Sequence, residues 1–166
     1  WQLFLPVRKP DSRFGETIET IPYDLAEEWG TESFPGEVDA VIHLAQSEHF
    51  REFPQYGEHI FRVNTTSTLR LLAYARKAKA RTFVLASSGG IYGHGDEGFT
   101  EDRPIEAKGD LGFYLGTKLC AEVLAENYAS FMVIIILRFF FVYGPGQRPT
   151  MFIPRLLRAV QEGDPI

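Results

Sequence analysis

Residues 82–93 read TFVLASSGGIYG, an apolar run of strand length that ends in two serines and two glycines. The run from Thr82 to Ser87 is typical of a strand buried inside a sheet. The glycines after it end the strand and open a polar loop, expected from Gly89 to Gly109. The pattern predicts a parallel strand that delivers Ser87 and Ser88 to the sheet edge where open α/β folds bind ligands.

Strand-like and helix-like segments alternate on both sides of this run. We expect further strands at 3–7, 17–23, 38–45 and 132–140, each covered on both faces, and helices at 24–29, 58–79, 111–129 and 152–160. Asp110 is the expected N-cap of the third helix. This alternation predicts an α/β fold, a Rossmann-like doubly wound parallel sheet with right-handed crossovers.

Composition narrows the class of protein. The chain has 166 residues, a net charge of −5 and a single cysteine, so an intrachain disulfide and a paired-cysteine metal site are both excluded. The longest apolar run, Phe131 to Val142, is interrupted by Arg138 and is shorter than a membrane span. We therefore expect a cytoplasmic protein with no nucleic-acid or membrane partner.

The sequence lacks the glycine-rich turn with which dinucleotide-binding folds begin. A dinucleotide-binding fold normally begins with a strand, a glycine-rich turn and a helix, but no such turn occurs here. One interpretation is that the protein binds no dinucleotide. We favour the other, that residues 1–166 form a single partial domain truncated at the N-terminus. Its substrate-binding region would start after about residue 143 and be mostly missing.

Tyr114 and Lys118 stand four residues apart in the third predicted helix, so both side chains should leave the same face. A nearby ammonium favours phenolate, and we expect it to lower the tyrosine pKa from its ordinary value of about 10. Such a tyrosine can exchange a proton with a substrate hydroxyl or carbonyl. A chance pair on an exposed helix remains the alternative to this interpretation.

Other conspicuous residues are predicted to be structural. His43 lies inside a buried strand pattern, Cys120 should be a core residue on another face of its helix, and Trp29 should pack. The remaining histidines have no spacing that suits metal ligands. No metal site is therefore predicted.

Five motifs together resemble one family. VDAVIHLAQ, VNTTSTLRLL, FVLASSGGIYG, YLGTKLCAE and LRFFFVYGPGQRP occur in the order and spacing of the extended short-chain dehydrogenase/reductases. They are most similar to the NAD-dependent epimerase/dehydratase branch, which includes nucleotide-sugar epimerases and dehydratases. The resemblance covers about residues 38–166, and five ordered motifs are far more specific than any one of them.

The resemblance implies roles for the residues at the motif positions. Tyr114 matches the catalytic acid/base, Lys118 the lysine that holds the nicotinamide ribose and lowers the tyrosine pKa, and Ser88 the catalytic Ser/Thr. The other matches line the cofactor or support the active-site helix: Asp24, Leu25, Leu44, Ala45, Gln46, Asn64, Phe139, Phe141 and Val142. The implied cofactor is NAD or NADP.

Several positions depart from the family pattern. Gly89 and Gly90 stand where the hexose 4,6-dehydratases carry an Asp-Glu pair, so water elimination is not expected. Phe141 replaces a substrate-binding asparagine, Gln46 replaces a smaller residue, and Ser67 replaces a glycine. Many epimerases carry the asparagine that Phe141 replaces, so these differences separate the chain from the usual pattern of epimerases as well as from that of the 4,6-dehydratases.

Arg8 follows the strand whose end selects the cofactor, where an arginine accommodates the 2′-phosphate of NADP. We expect some tolerance of NADP, although a solvated loop charge explains Arg8 equally well. The resemblance further implies a nucleotide-sugar-like substrate and a homodimer formed through helices 58–79 and 111–129. The alternatives are an NADP-dependent carbonyl reductase of the same superfamily and a non-catalytic dinucleotide-binding sensor or scaffold.

Overall fold

The computed structural model describes residues 2–9, 18–96, 98–105 and 111–164. The described part contains five strands, which are β1 (Leu3–Val7), β2 (Ile18–Pro22), β3 (Ala40–His43), β4 (Thr82–Ser88) and β5 (Val133–Phe139). Its α-helices are α1 (Gly57–Phe61), α2 (Ser67–Lys77), α3 (Gly112–Glu126) and α4 (Phe152–Glu162). A π-helical segment, Arg62–Thr66, joins α1 to α2, and a 3₁₀ turn, Gly89–Tyr92, follows β4.

All the strands pair in parallel. β1 pairs with β2, and β3, β4 and β5 form a second sheet with β4 in the middle. In that sheet Val84 lies beside Ile42 on one side and Ile135 on the other. The predicted α/β class with parallel strands is therefore confirmed, although β1–β2 and β3–β4–β5 form two sheets rather than one.

The core lies between α2, α3 and one face of the three-stranded sheet. Phe83 and Leu85 on β4 are buried against a layer of small and branched helix residues: Leu71, Leu72, Ala75, Ala121 and Ala125. Alanines on α3 let that helix approach the strand closely, because no longer side chain holds the two apart. This packing fixes the helix that carries Tyr114 and Lys118 against the strand that carries Ser88.

The other face of this sheet is apolar and open. Ile42 and Val133 are each 61% exposed, and Ile135 and Leu137 are also exposed. We predicted strands covered on both faces, but among the described residues the helices cover only one. Helix α4 has no buried residue. No helix in the described part of the chain is long and apolar enough to cross a membrane.

The predicted helix at 24–29 is wrong. An oxygen of the Asp24 carboxylate accepts a hydrogen bond from the Ala26 backbone N–H, which closes a turn in place of a helix. Trp29 and Phe34 then pack with Tyr23 in an aromatic cluster at centroid distances of 4.9–6.1 Å. The packing role predicted for Trp29 is confirmed, since it lies against the core.

The long helix predicted at 58–79 is interrupted by the π-helical segment, yet the stripe of residues that recur along it at helical spacing faces inward. The five stripe residues are all buried: Ile60, Asn64, Ser67, Leu71 and Tyr74. The third helix begins at Gly112 and ends at Glu126, within the predicted 111–129. Leu111 occupies its N-cap position, and Asp110 lies outside the described residues.

The prediction that Cys120 belongs to the core is wrong, because its side chain is exposed. Helix α3 rests on the sheet through Lys118, Ala121, Glu122 and Ala125, all buried. Two residues along an α-helix rotate a side chain by about 200°. Cys120 therefore points away from the face that holds Lys118.

Candidate active site

Two adjacent serines at the end of β4 have different surroundings. Strand alternation places Ser87 on the helix-covered face, where its hydroxyl is buried and has no hydrogen-bond partner among the described residues. Ser88 is half-buried at the strand end and caps the 3₁₀ turn, since its Oγ accepts the Gly90 N–H at 3.2 Å. Of the two, Ser88 is the hydroxyl that lies beside the Tyr114 phenol, whose pKa it lowers.

Tyr114 lies in the first turn of α3, with its ring half-buried and 5.3 Å from that of Phe50 between centroids. Its phenol donates a hydrogen bond to the Gln46 side-chain oxygen at 2.8 Å. Burial raises the pKa of Tyr114, and the neighbouring Ser88 hydroxyl partly opposes that rise. The site thus places Ser88, Tyr114 and Gln46 together.

Lys118 is buried one helical turn after Tyr114. Its ammonium donates to the Ala86 carbonyl of β4 at 2.9 Å, and burial lowers its pKa to about 8. We expected this ammonium to lower the tyrosine pKa. The structure gives the opposite direction for Tyr114, because desolvation of the phenol outweighs the influences that favour phenolate.

Asn64 sits in the π-helical segment and holds two other parts of the site. Its Oδ1 accepts the Ser47 backbone N–H at 3.0 Å, and its Nδ2 donates to Thr117 Oγ1 at 3.0 Å. Thr65 donates to the Thr117 carbonyl from the same segment. A π-helical turn is common at functional sites. Asn64 therefore connects the loop after β3 with the helix that carries Tyr114.

A cleft opens beside this loop, with a volume of about 210 Å³. It brings together five of the residues predicted to bind cofactor: Arg8, Asp24, Leu25, Ala45 and Gln46. It is also lined by residues that sequence reasoning missed: Pro6, Tyr23, Ser47, Glu48, His59 and Val63. The cleft combines carboxylates, an arginine and apolar side chains. This combination suits an adenosine and its ribose.

Six predicted cofactor residues, Lys118 among them, do not line this cleft. Leu44 is 60% exposed and Phe141 is 90% exposed, while Phe139 and Val142 are also exposed. Asn64 is buried beneath the loop instead of in the cleft wall. The structure therefore separates the predicted residues into those that line the cleft, those around Tyr114 and those at the exposed end of β5.

The structure also reveals a buried ion pair that the sequence did not single out. Glu122, one turn after Lys118, is 1% exposed and accepts hydrogen bonds from Arg138 Nε and Nη2 at 2.8–3.3 Å. The Arg138 guanidinium lies 4.7 Å from the Tyr92 ring centroid. This pair ties α3 to β5 and to the turn after Ser88, and it raises the pKa of Arg138.

His43 is a packed core residue, as predicted. It is 4% exposed, and its Nε2 lies 3.0 Å from Ser67 Oγ, which also donates to the Val63 carbonyl. Burial, aided by the charge of Lys118, lowers the pKa of His43 to about 3. Ser67 therefore serves as a partner for a neutral histidine.

Gly89 has a packing reason to lack a side chain. A Cβ at this position would meet the Phe140 ring at 2.6 Å, and the Phe140 ring stacks on Tyr92 at an interplanar angle of 12°. A side chain at this position would therefore require the exposed Phe140 ring to move. Among the described residues, no three His, Cys, Asp or Glu side chains group as metal ligands would.

Comparisons with known proteins found a matching family and several relatives. A model of the "NAD dependent epimerase/dehydratase family" matches residues 7–166. An uncharacterized UDP-glucose epimerase of Bacillus subtilis is 35% identical over 136 residues, 78% of this chain and 41% of the relative. A UDP-glucuronate 4-epimerase of Thermodesulfobacterium geofontis is 34% identical over 131 residues, 78% of this chain and 40% of the relative.

Solved structures share the same fold. MoeE5 in complex with UDP-glucuronic acid and NAD has a TM-score of 0.80 at 34% identity, over 98% of this chain and 54% of that protein. RMD from Pseudomonas aeruginosa, complexed with NADPH, has a TM-score of 0.70 at 27% identity, over 88% of this chain and 54% of that protein. The chain thus spans about 40% of the curated relatives' length and about half of the solved structures'.

Proposed function

The chain belongs to the NAD-dependent epimerase/dehydratase family, and we propose that the complete protein is an NAD(P)-dependent oxidoreductase of the epimerase type that acts on a nucleotide sugar. The observation that supports this most is the placement of Ser88 and Tyr114 at one end of β4, with Lys118 buried one turn further along α3. Each residue has a distinct chemical role in the proposal.

Tyr114 is the proton donor and acceptor for the sugar oxygen. In its phenolate form Tyr114 accepts the hydroxyl proton when the sugar is oxidised and its hydride leaves. In its neutral form, which burial favours by raising the pKa, the phenol returns that proton to the alkoxide that forms when the ketone is reduced. Ser88 donates a hydrogen bond to the same oxygen, which stabilises negative charge as it forms. Lys118 provides a positive charge one helical turn after Tyr114, held in place by the Ala86 carbonyl.

The cleft fits the adenosine half of a dinucleotide. Asp24 offers a carboxylate, Leu25 and Val63 offer apolar contacts, and Ala45 leaves room for a flat group. A bound nicotinamide would supply the hydride acceptor. The chain's own residues would hold and orient the cofactor in the cleft.

The substrate class follows from the relatives together with the site. MoeE5 binds UDP-glucose and UDP-glucuronic acid in its solved complexes. Gly89 and Gly90 provide no carboxylate for water elimination, and Phe140 packs where a Gly89 side chain would lie. Epimerisation is therefore the reaction we propose in preference to dehydration.

A carbonyl reductase of the same superfamily is the second candidate, because it would use the same Ser88, Tyr114 and Lys118. The complete protein should be incubated with UDP-glucuronic acid or UDP-glucose and catalytic NAD, and the products separated by chromatography. An epimer without net change in NADH supports the proposal. Stoichiometric consumption of NADPH with a ketone identifies the reductase, and a protein that binds cofactor but converts nothing identifies the sensor.

We also propose a homodimer formed through α1, α2 and α3. These helices carry exposed apolar side chains, which a monomer would leave in water: Phe61, Leu69 and Val123 are 44%, 44% and 51% exposed. Burial of such side chains against a second copy is favourable by about 25 cal/mol for each Å² of apolar area. The oligomeric state of the complete protein in solution tests this part of the proposal.

A further inference from the structure

Arg8 and Glu48 form an ion pair at the mouth of the cleft. Arg8 follows β1 and Glu48 lies in the loop after β3, forty positions later in the sequence. Arg8 Nη1 donates to Glu48 Oε1 at 2.5 Å, and Arg148 Nη2 lies 3.9 Å from the other carboxylate oxygen. The pair therefore links two segments that both line the cleft.

Each partner carries a chemistry that bears on dinucleotide choice. At the end of this strand an arginine accommodates the 2′-phosphate of NADP, whereas an acid hydrogen-bonds the ribose 2′-hydroxyl of NAD. Here the two occur side by side, because Arg8 stands where the strand ends and Glu48 reaches it from another loop. The carboxylate holds the cation that a 2′-phosphate would need.

We propose that Glu48 is the residue that makes this protein prefer NAD to NADP, by holding Arg8 and by placing a carboxylate beside the position of a 2′-phosphate. This inference rests on the proposed function. Arg8 alone predicted tolerance of NADP. The contact with Glu48 reverses the expected preference. The 2′-phosphate of NADP would have to displace the Glu48 carboxylate from Arg8 and would then lie next to that carboxylate.

The charge state of the pair supports this role. The hydrogen bond and the charge of Arg8 lower the pKa of the Glu48 carboxyl, so Glu48 is ionised at neutral pH. Both side chains are partly exposed, at 56% for Arg8 and 34% for Glu48. Exposed pairs contribute little to stability. Removing Glu48 should therefore change cofactor affinity without unfolding the protein.

The test compares NADH and NADPH binding to the complete protein by nicotinamide fluorescence titration. The native protein should bind NADH more tightly than NADPH. Glu48→Gln should tighten NADPH binding relative to NADH binding by about tenfold, since charge-assisted hydrogen bonds to phosphate are strong. Arg8→Ala added to Glu48→Gln should abolish the gain.

Glu52→Gln is the matched control, because Glu52 pairs with His49 and does not line the cleft. It should leave both affinities unchanged. A native preference for NADPH, an equal change for both cofactors, or a gain that survives Arg8→Ala would overturn the role of Glu48 alone. A native protein that binds neither cofactor would overturn the proposed function as well.

Discussion

The phenol of Tyr114 donates a 2.8 Å hydrogen bond to the side-chain oxygen of Gln46, and so joins α3 to the loop that lines the cleft. An amide oxygen accepts only from a protonated phenol. Gln46 therefore favours the neutral form of Tyr114 and restrains its orientation.

Replacing Gln46 with Ala should lower the pKa of Tyr114. Loss of one neutral hydrogen bond, worth about 1 kcal/mol, corresponds to somewhat less than one pH unit. The measurement is the ultraviolet titration of tyrosine, taken as the difference from a Tyr114→Phe background. Gln55→Ala, at an exposed position, is the control. An unchanged titration would mean that the contact with Gln46 does not influence the phenol.

The pair of Glu122 and Arg138 should matter for stability. Glu122→Gln leaves the largely buried Arg138 guanidinium without its counter-charge and should lower the free energy of unfolding by about 3–5 kcal/mol. Asp39→Asn breaks an exposed pair with Arg81 and should cost less than about 1 kcal/mol. Urea unfolding of the complete protein measures both. Similar losses for the two variants would contradict the burial argument.

His43 should make the protein acid-sensitive. Its folded pKa of about 3 lies below the ordinary value of 6.5, so the unfolded state binds the extra proton between these values. The free energy of unfolding is therefore not reduced by His43 above pH 6.5. It falls as the pH drops from 6.5 toward 3, because only the unfolded state takes up the proton. The loss from pH 7 to pH 4.5 should reach about 3 kcal/mol.

His43→Gln removes this titration while keeping a polar group near Ser67. Its unfolding free energy should therefore depend less on pH between 7 and 4.5 than that of the native protein. The exposed His94, changed to Gln, should leave the pH dependence as it is. Equal slopes for the native protein and His43→Gln would show that His43 does not carry the effect.

The proposed homodimer predicts that a charge on α3 will separate the subunits. Val123→Asp should weaken association by at least about tenfold, because it places an unpaired carboxylate in an apolar contact. Val160→Asp, on the exposed surface of α4, should not. Sedimentation over a range of concentrations measures the equilibrium. A monomeric native protein, or equal effects of both changes, would rule out this interface.

Sequence patterns correctly predicted the strands and helices that are determined by the residues within each segment. The strand at 82–88 is continuous and β-favouring, and the stripe of the 58–79 segment recurs at helical spacing, so both were placed correctly. The helix at 24–29 failed because one side-chain hydrogen bond from Ala26 to Asp24 overrides weak propensity. The π-helical segment around Asn64 has no signature that a periodicity of 3.6 residues would detect.

Contacts between distant residues account for the parts of the site that were missed. From the sequence, Glu122 is expected at the surface because it is charged. Its burial becomes understandable only from the hydrogen bonds that it accepts from Arg138, sixteen positions later. Glu48 can be identified as a candidate site residue only from its contact with Arg8. Gln46 can be identified as a partner of Tyr114 only from their hydrogen bond. The raised pKa of Tyr114 was mispredicted for a related reason, because the sequence displays the charge of Lys118 but not the burial of the phenol.

The central claim is that Tyr114 transfers the proton. Tyr114→Phe in the complete protein, assayed with UDP-glucuronic acid and UDP-glucose, should lower turnover by about 10²–10⁴-fold, while the Kd for NADH changes by less than about threefold. Tyr128→Phe, at a half-buried tyrosine just beyond the end of α3, should leave turnover within about twofold of native. Turnover of Tyr114→Phe within tenfold of native, with cofactor binding intact, would contradict the account.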